Sequence, residues 1–336
     1  MGINLGDVIE TKNITLQNLF DKKVAIDSFN WIYQFLSIIR QKDGQPLMDS
    51  KGRVTSHLSG LFYRTMKLLE ANVKPVYVFD GISPDSKRKT IEKRKDIREQ
   101  AKDEWQKALK KKDFVSARKY AMRSTSVTDE IINDSKALIT AMGIPVIQAK
   151  TEGEALCSLM TRNGDVNATA TQDYDSLLFG CPKVIRNLSI TGRKKRGNDY
   201  ITIDPEMILL EDVLKKLCLN QEQLITLGIL VGTDFNPGGI SGIGPKKALT
   251  LVKEKGFEEI FSDLEWAFPS SPEEILEFFK NPEKTDYQIA FRDLDEEKIK
   301  EILCEEHDFS TERIQNSIEK LKESKKSSQK SLNKWF

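Results

Sequence analysis

Residues 167–180 read NATATQDYDSLLFG, a small-residue and apolar run interrupted by Asp173 and Asp175. On an extended strand, side chains two apart project to the same side, so these two acids are expected to meet. Others stand in similar places. KKVAID ends on Asp27, KPVYVFD ends on Asp80, TEGEA sets Glu152 and Glu154 at the head of a helix, and GILVGTDFN carries Asp234 behind another apolar run. Each has an ordinary alternative: a turn residue closing a strand or, for Thr151 with Glu154 three residues on, a capping box favoured by the helix dipole. Residues two apart on a regular helix do not face each other. Glu152 and Glu154 therefore share a site only if the first still belongs to the non-helical entry. Seven converging carboxylates would repel one another and shift their pKa values upward, so a set this dense needs cations. Hard oxygen ligands select Mg²⁺ or Mn²⁺. Two such ions, about 3.5 to 4 Å apart, can activate water and stabilise the leaving oxygen of an in-line phosphoryl displacement. Histidine offers little competing chemistry: only His57 and His307 occur, and His57, in VTSHLSGLF, is expected as a packed or surface helix residue.

These acids need elements to hold them. KKVAID, KPVYVFD and NATATQD are near-continuous apolar runs of the kind that suits strands buried on both faces of a parallel sheet. Between them lie helical patterns: SFNWIYQFLSIIRQ, residues 56–72, and VTDEIINDSKALITAMG before IPVIQ. Strands alternating with helices predict an α/β domain with right-handed crossovers. In such open sheets the ligand site lies beyond the carboxyl ends of the strands, which is where the acids sit.

Net charge is only +1 over 336 residues, but it is unevenly spread: residues 87–123 hold fifteen Lys and Arg against six Asp and Glu, whereas 257–323 hold eight against twenty. A polyanion is expected on one surface and not on the other. The basic segment, from Gly81, is a polar helical insertion in which Lys87 and Arg94, seven residues apart, share a helix face and could meet a phosphate opposite the acids. GISGIGPKKAL, residues 239–249, has Gly242 and Gly244 for a tight turn, then Lys246 and Lys247 opening a helix, a pattern that presents backbone N–H groups to phosphate; a plain helix connector is the alternative. Pro245 excludes a Walker-type loop. Tyr33 offers a ring for base stacking, or is a core aromatic.

As a set, VAIDSFNWIYQFL, RVTSHLSGLFYRT, PVYVFDG, EGEA, QDYDSLLFG, GILVGTDFNPGGISGIGPKKAL and the terminal QKSLNKWF resemble the flap endonucleases, archaeal forms most closely, within the family of structure-specific nucleases that includes the XPG-type repair enzymes. The resemblance covers nearly the whole chain. It implies a mainly parallel, PIN-like α/β nuclease core with a helical arch and a helix-two-turn-helix segment. The organisation it suggests is nuclease regions at 1–80 and 126–235, an arch at 81–125, a helical region at 236–323 and a flexible tail at 324–336. It implies a 5′ flap endonuclease with 5′–3′ exonuclease activity, acting in Okazaki fragment maturation and long-patch base excision repair. Carried over by motif, the seven acids are ligands of two Mg²⁺ ions, with Mn²⁺ able to substitute. Lys87 and Arg94 are the basic pair at the arch foot, Tyr33 stacks beside the scissile phosphate with Arg40 nearby, and Gly2 becomes an amino terminus close to the site. A K⁺ ion is expected at the helix-two-turn-helix, where Asn236-Pro237-Gly238-Gly239 departs from some relatives. Gln329, Leu332, Trp335 and Phe336 match the sliding-clamp motif, implying PCNA as partner; an exposed Trp-Phe on a Ser/Lys-rich tail has no core to join.

The remaining classes are narrowed by composition. Hydrophobic residues make up 39%, mean hydropathy is −0.44, and no window nears the roughly 18 apolar residues of a membrane span. MGINLGDVIE lacks a secretory pattern, and four scattered Cys residues without a C-x-x-C pair suggest neither zinc nor disulfides. An intracellular monomer, cytoplasmic or at the nucleoid, is expected. Two rivals remain: a junction or bubble nuclease of the same family, and a clamp-tethered DNA-binding scaffold without chemistry.

Overall fold

The computed structural model describes residues 6, 8–82, 88–190, 193–196 and 199–332, with the backbone alone at 88–93, 193–196, 199–201 and 327–332. The described residues form nine strands: β1 (Lys12–Asn13), β2 (Lys23–Asp27), β3 (Lys74–Phe79), β4 (Val146–Gln148), β5 (Ala168–Ala170), β6 (Lys183–Arg186), β7 (Arg193–Arg196), β8 (Asp199–Thr202) and β9 (Glu206–Leu209). The helices between them are α1 (Ser28–Ile38), α2 (Ser56–Glu70), α3 (Arg88–Lys110), α4 (Phe114–Arg123), α5 (Asp129–Ala141), α6 (Gly153–Arg162) and α7 (Asp175–Leu178). Beyond β9 come α8 (Leu210–Leu217), α9 (Gln221–Val231), α10 (Pro245–Glu254), α11 (Phe257–Ser262), α12 (Pro272–Lys280), α13 (Glu296–Lys300) and α14 (Thr311–Leu332).

Seven strands make one sheet in the order β1-β9-β6-β5-β2-β3-β4, and β7 and β8 form a separate hairpin. The run from β6 through β5, β2 and β3 to β4 is parallel, while β9 and β1 close one side antiparallel. The fold is thus a mixed, mostly parallel sheet flanked by helices. Val24, Ala25 and Ile26 of β2, and Val76, Tyr77 and Val78 of β3, are fully buried, because helices cover both faces. Trp31, Phe62, Tyr77 and Phe79 anchor the largest apolar cluster, which α14 joins through Ile314, Ile318 and Leu321. A second cluster gathers α9, α10 and α12 around Leu227, Ile229, Val252 and Phe279.

The basic insertion folds as the pair α3 and α4. Its outer end is pinned to the loop after α1, where Trp105 Nε1 donates to the Asp43 carbonyl at 3.3 Å. The Lys/Ser-rich end continues α14 through Leu332. The cause lies upstream: Lys320 pairs with Glu70 at 2.9 Å and Ser324 Oγ donates to the Glu70 carbonyl at 2.9 Å, so α14 is nucleated on the core and propagation needs little more.

Candidate active site

Because β5, β2, β3 and β4 are neighbours and parallel, their carboxyl ends form one rim. Asp27 is the last residue of β2, Asp80 follows β3, Glu152 and Glu154 follow β4, and Asp173 and Asp175 follow β5. Asp234 comes after α9. Asp27 and Asp175 are buried and the other five are half-buried.

Each local fold explains how its carboxylate is aimed. Asp27 caps α1, its Oδ1 accepting the Asn30 backbone N–H at 3.1 Å, while Thr171 Oγ1 donates to its Oδ2 at 3.1 Å. Asp80 Oδ1 accepts the Gly153 N–H at 2.7 Å. The β3 end and the head of α6 are so close that a Cβ on Gly153 would stand 2.8 Å from that oxygen. Glu152 is the extended N-cap of α6, with φ −94° and ψ 129°, so it lies in the non-helical entry, and Glu154 is the second residue within the helix. The Thr151–Glu154 capping box does not form; Glu154 Oε1 accepts instead from Ser176, at 2.9 Å from N–H and 2.6 Å from Oγ.

The placement of Asp173 and Asp175 on one strand is corrected. β5 stops at Ala170, and Asp175 opens α7. The bend arises where Thr171 Oγ1 accepts the Asp173 N–H at 3.3 Å, a local side-chain turn competing with strand continuation. The two acids still act on a common neighbour. Glu154 is pushed well above the usual carboxylate range, first by burial and then by the charges of Asp175, Asp173 and Asp27. Asp27 is pushed up to about 8, by burial and next by Asp80, with Asp173 adding to it. Asp27 and Glu154 thus link five of the seven acids, Asp27 feeling Asp80 and Asp173, and Glu154 feeling Asp175, Asp173 and Asp27.

Among the described residues, no three His, Cys, Asp or Glu side chains stand close enough to grip one metal ion as they are. Like charges hold such a set apart, and a divalent cation is what would draw it in. An all-oxygen set fits a hard cation; the nearby Cys157 thiol, pushed up first by burial, stays protonated and supplies no soft ligand. Asp234 accepts from Arg94 Nη2 at 2.5 Å, which brings the first turns of α3 to the cluster.

The molecule's relatives bear on what this arrangement is for. The XPG N-terminal domain model matches residues 1–101 and the XPG I-region model matches 143–234. The chain is 54% identical to flap endonuclease 1 of Thermococcus onnurineus, over 100% of this chain and 99% of the relative, and 54% identical to that of Pyrococcus furiosus with the same coverage. The chain belongs to the flap endonuclease 1 family. The solved flap endonuclease-1 from Methanococcus jannaschii superposes with a TM-score of 0.77 at 40% identity, over 96% of this chain and 98% of that one. This family member is accordingly a nuclease, a hydrolase acting on DNA phosphodiester bonds.

The other expected site residues are spread more widely. Tyr33, on α1, is 38% exposed and free of the core. Arg40 is half-buried and spent internally, donating to the Gly44 carbonyl at 2.8 Å and to Thr125 Oγ1 at 2.7 Å. Gly242 takes the left-handed conformation, φ 76°. Gly244 does not: it is the extended N-cap of α10, with φ −87° and ψ 175°, directly before Pro245. Lys246 and Lys247 are exposed on the first turn of α10. Asn236 is fully buried, accepting from Thr233 N–H and Oγ1 at 3.0 and 2.8 Å and donating to the Ile229 carbonyl at 2.6 Å. Lys87, Gly2, Trp335 and Phe336 lie outside the described residues; Gln329 and Leu332 fall on α14, described there by backbone alone. The sequence reading missed Asn30, Thr171, Ser176 and Gly153, which hold the acids. Only Asn30 left a signal, as the third helical residue after an Asp N-cap. It also missed a meeting of the two histidines: His57 is fully buried, and His307 Nε2 and His57 Nε2 stand 3.8 and 4.0 Å from the same Asp134 oxygen.

Proposed function

We propose that this chain cuts branched DNA bearing a 5′ flap, with a 5′–3′ exonuclease activity, at the rim formed by Asp27, Asp80, Glu152, Glu154, Asp173, Asp175 and Asp234. The observation that carries the proposal is the gathering of Asp27, Asp80, Glu154, Asp173 and Asp175 at the ends of adjacent parallel strands, with Asp27 and Glu154 each under the charges of others in the set. The seven carboxylates would hold two Mg²⁺ ions, with Mn²⁺ able to substitute. What such a pair supplies when bound is a lowered pKa for water and neutralisation of charge on the phosphoryl oxygens.

The chain's own residues do the rest. Arg94 reaches the rim from α3, and a guanidinium there suits the fork of a phosphate; Lys87 is its proposed companion. With a phosphodiester present, Arg94 exchanges Asp234 for the phosphate oxygens and stabilises the charge that develops on them. Tyr33 offers an exposed ring on the helix that starts at Asp27, suited to stacking on the adjacent base. Gly242, Gly244, Lys246 and Lys247 would grip duplex phosphates at the head of α10, with K⁺ at that turn. Arg40, committed to Gly44 and Thr125, shapes the loop after α1. Gln329, Leu332, Trp335 and Phe336 are proposed to dock on the sliding clamp PCNA, in Okazaki fragment maturation and long-patch base excision repair, with a monomeric enzyme inside the cell. No helix among the described residues is long and apolar enough to cross a membrane.

The test is cleavage of a labelled double-flap substrate in Mg²⁺, with EDTA and Asp173→Ala as controls. Expected is incision near the flap base that needs the metal and falls more than about a hundredfold in the variant, while DNA binding in Ca²⁺ stays within about twofold. Full activity in Asp173→Ala would overturn the assignment. Preference for four-way or bubble substrates over flaps would move the enzyme to the junction nucleases of its family.

A further inference from the structure

Asn30 touches two of the seven acids and is assigned to neither capping nor packing alone. Its backbone N–H donates to Asp27 Oδ1 at 3.1 Å, and its side-chain Nδ2 donates to Asp173 Oδ2 at 3.1 Å. The amide has only one workable orientation, because its Oδ1 receives the Gln172 N–H at 3.3 Å. A carbonyl oxygen must face that donor, which leaves the NH₂ group for the carboxylate. Thr171 completes the figure from the other side. Its single hydroxyl proton goes to Asp27 Oδ2 at 3.1 Å, and its oxygen accepts the Asp173 N–H at 3.3 Å. Asp27, Asn30, Asp173 and Thr171 thus form a closed ring of hydrogen bonds that joins the end of β2 to the connection between β5 and α7.

Two carboxylates repelling each other across a rim would otherwise swing apart. The ring fixes one oxygen of Asp173 and the plane of Asp27 before any cation arrives, and orientation paid for in the fold is not lost again on binding. We propose that Asn30 is a positioning residue that, with Thr171, presents Asp27 and Asp173 as one preorganised divalent-cation site and thereby sets cation affinity and turnover. This rests on the reading of the rim as a metal-dependent nuclease site.

The experiment uses the full chain and four variants: Asn30→Ala, Asn30→Asp, Thr171→Val and Thr171→Ser. Mn²⁺ binding to the DNA-free protein is measured by calorimetry, thermal unfolding is followed in EDTA, and kcat and KM are determined on the double-flap substrate across a Mg²⁺ series. Expected for Asn30→Ala is a loss of Mn²⁺ affinity of about 10- to 100-fold, a parallel rise in half-saturating Mg²⁺, and a fall in kcat with KM for DNA within about twofold. Asn30→Asp keeps the shape but turns a donor into a like charge beside Asp173, so its kcat at saturating Mg²⁺ falls too. Thr171→Ser, which keeps the hydroxyl, stays near wild type, and Thr171→Val, which keeps the shape, does not. A lower unfolding temperature in Asn30→Ala with unchanged Mn²⁺ affinity and kcat would overturn the proposal, leaving a purely structural role. If Asn30→Ala does not fold, equal Mn²⁺ affinity in the two Thr171 variants overturns it. A wild type that binds Mn²⁺ yet cuts no flap overturns the flap reading, while the calorimetry still decides on Asn30; a wild type that binds no Mn²⁺ overturns both.

Discussion

A carboxylate next to other carboxylates costs a protein stability unless a cation arrives, and Glu154 shows this most directly. Burial, followed by Asp175, Asp173 and Asp27, pushes its pKa well above the usual range. A carboxyl raised in the fold destabilises the native state at any pH above its unfolded value, because the folded site resists an ionisation that the unfolded chain makes freely. Glu154→Gln keeps both Ser176 hydrogen bonds, since an amide oxygen can accept them, and removes the charge. In EDTA at neutral pH the variant is expected to be more stable than wild type by about 1 kcal/mol, read from thermal unfolding. Added Mg²⁺ should raise the wild-type unfolding temperature and the variant's by less. A variant less stable than wild type in EDTA would mean that the charge is compensated within the fold.

At the scale of elements, the junction of β3 with α6 is the tightest part of the rim. Gly153 begins α6 with its N–H on Asp80, and a methyl group there would collide with that carboxylate and press on the Val78 carbonyl at 3.3 Å. Gly153→Ala is therefore expected to cost about 1–3 kcal/mol of stability and to lower kcat at least about tenfold by displacing Asp80, measured by denaturant unfolding and flap cleavage. An unchanged kcat would show that Asp80 can shift without consequence. The last helix behaves differently. α14 is bound to the core at Ile314, Ile318 and Leu321 and by Ser324 to α2, well before the clamp motif. Deleting residues 329–336 should abolish stimulation by the sliding clamp and leave basal cleavage within about twofold; equal stimulation with and without them would refute the docking role.

For the molecule as a whole, acid stability depends in part on a place outside the set of seven acids. His57 of α2 is fully enclosed, and neither ring nitrogen finds a hydrogen-bond partner among the described residues. Burial, followed by His307, lowers its pKa from 6.5 to about 3. Between those values the unfolded chain binds a proton that the folded one refuses, so stability falls with acidification by about 1.4 kcal/mol per pH unit in that window. Around it, His307 Nδ1 lies 3.2 Å from Asp49, and Arg53 Nε pairs with Asp49 at 2.7 Å. The place thus ties the loop before α2 to α5 and to the segment before α14. His57→Leu should gain stability relative to wild type as pH falls below 6.5, seen in unfolding temperatures from pH 7 to 4. A constant difference across that range would contradict it.

Residue type and local pattern determined much of this protein by themselves. The alternation of buried strands with helices, the seven acids and the family motifs are local features, and local chemistry imposes them: β-branched runs favour buried strands, and acids favour strand ends and helix heads. The break after Ala170, which moved Asp175 from a strand to the start of α7, was not legible, because it depends on Thr171 finding both Asp27 and Asp173. Nor was the hidden service of Arg40 to Gly44 and Thr125, nor the order in α14, which comes from contacts with a helix some 250 positions away in the chain. Only the tertiary structure decided which acids feel one another, since that follows from the sheet order β5-β2-β3-β4. It alone brought together the chain's two histidines and closed the ring through Asn30. Contacts such as Asn30 with Asp173 and Thr171 with Asp27 join residues more than a hundred positions apart, and their free energy exists only once the chain has closed those loops.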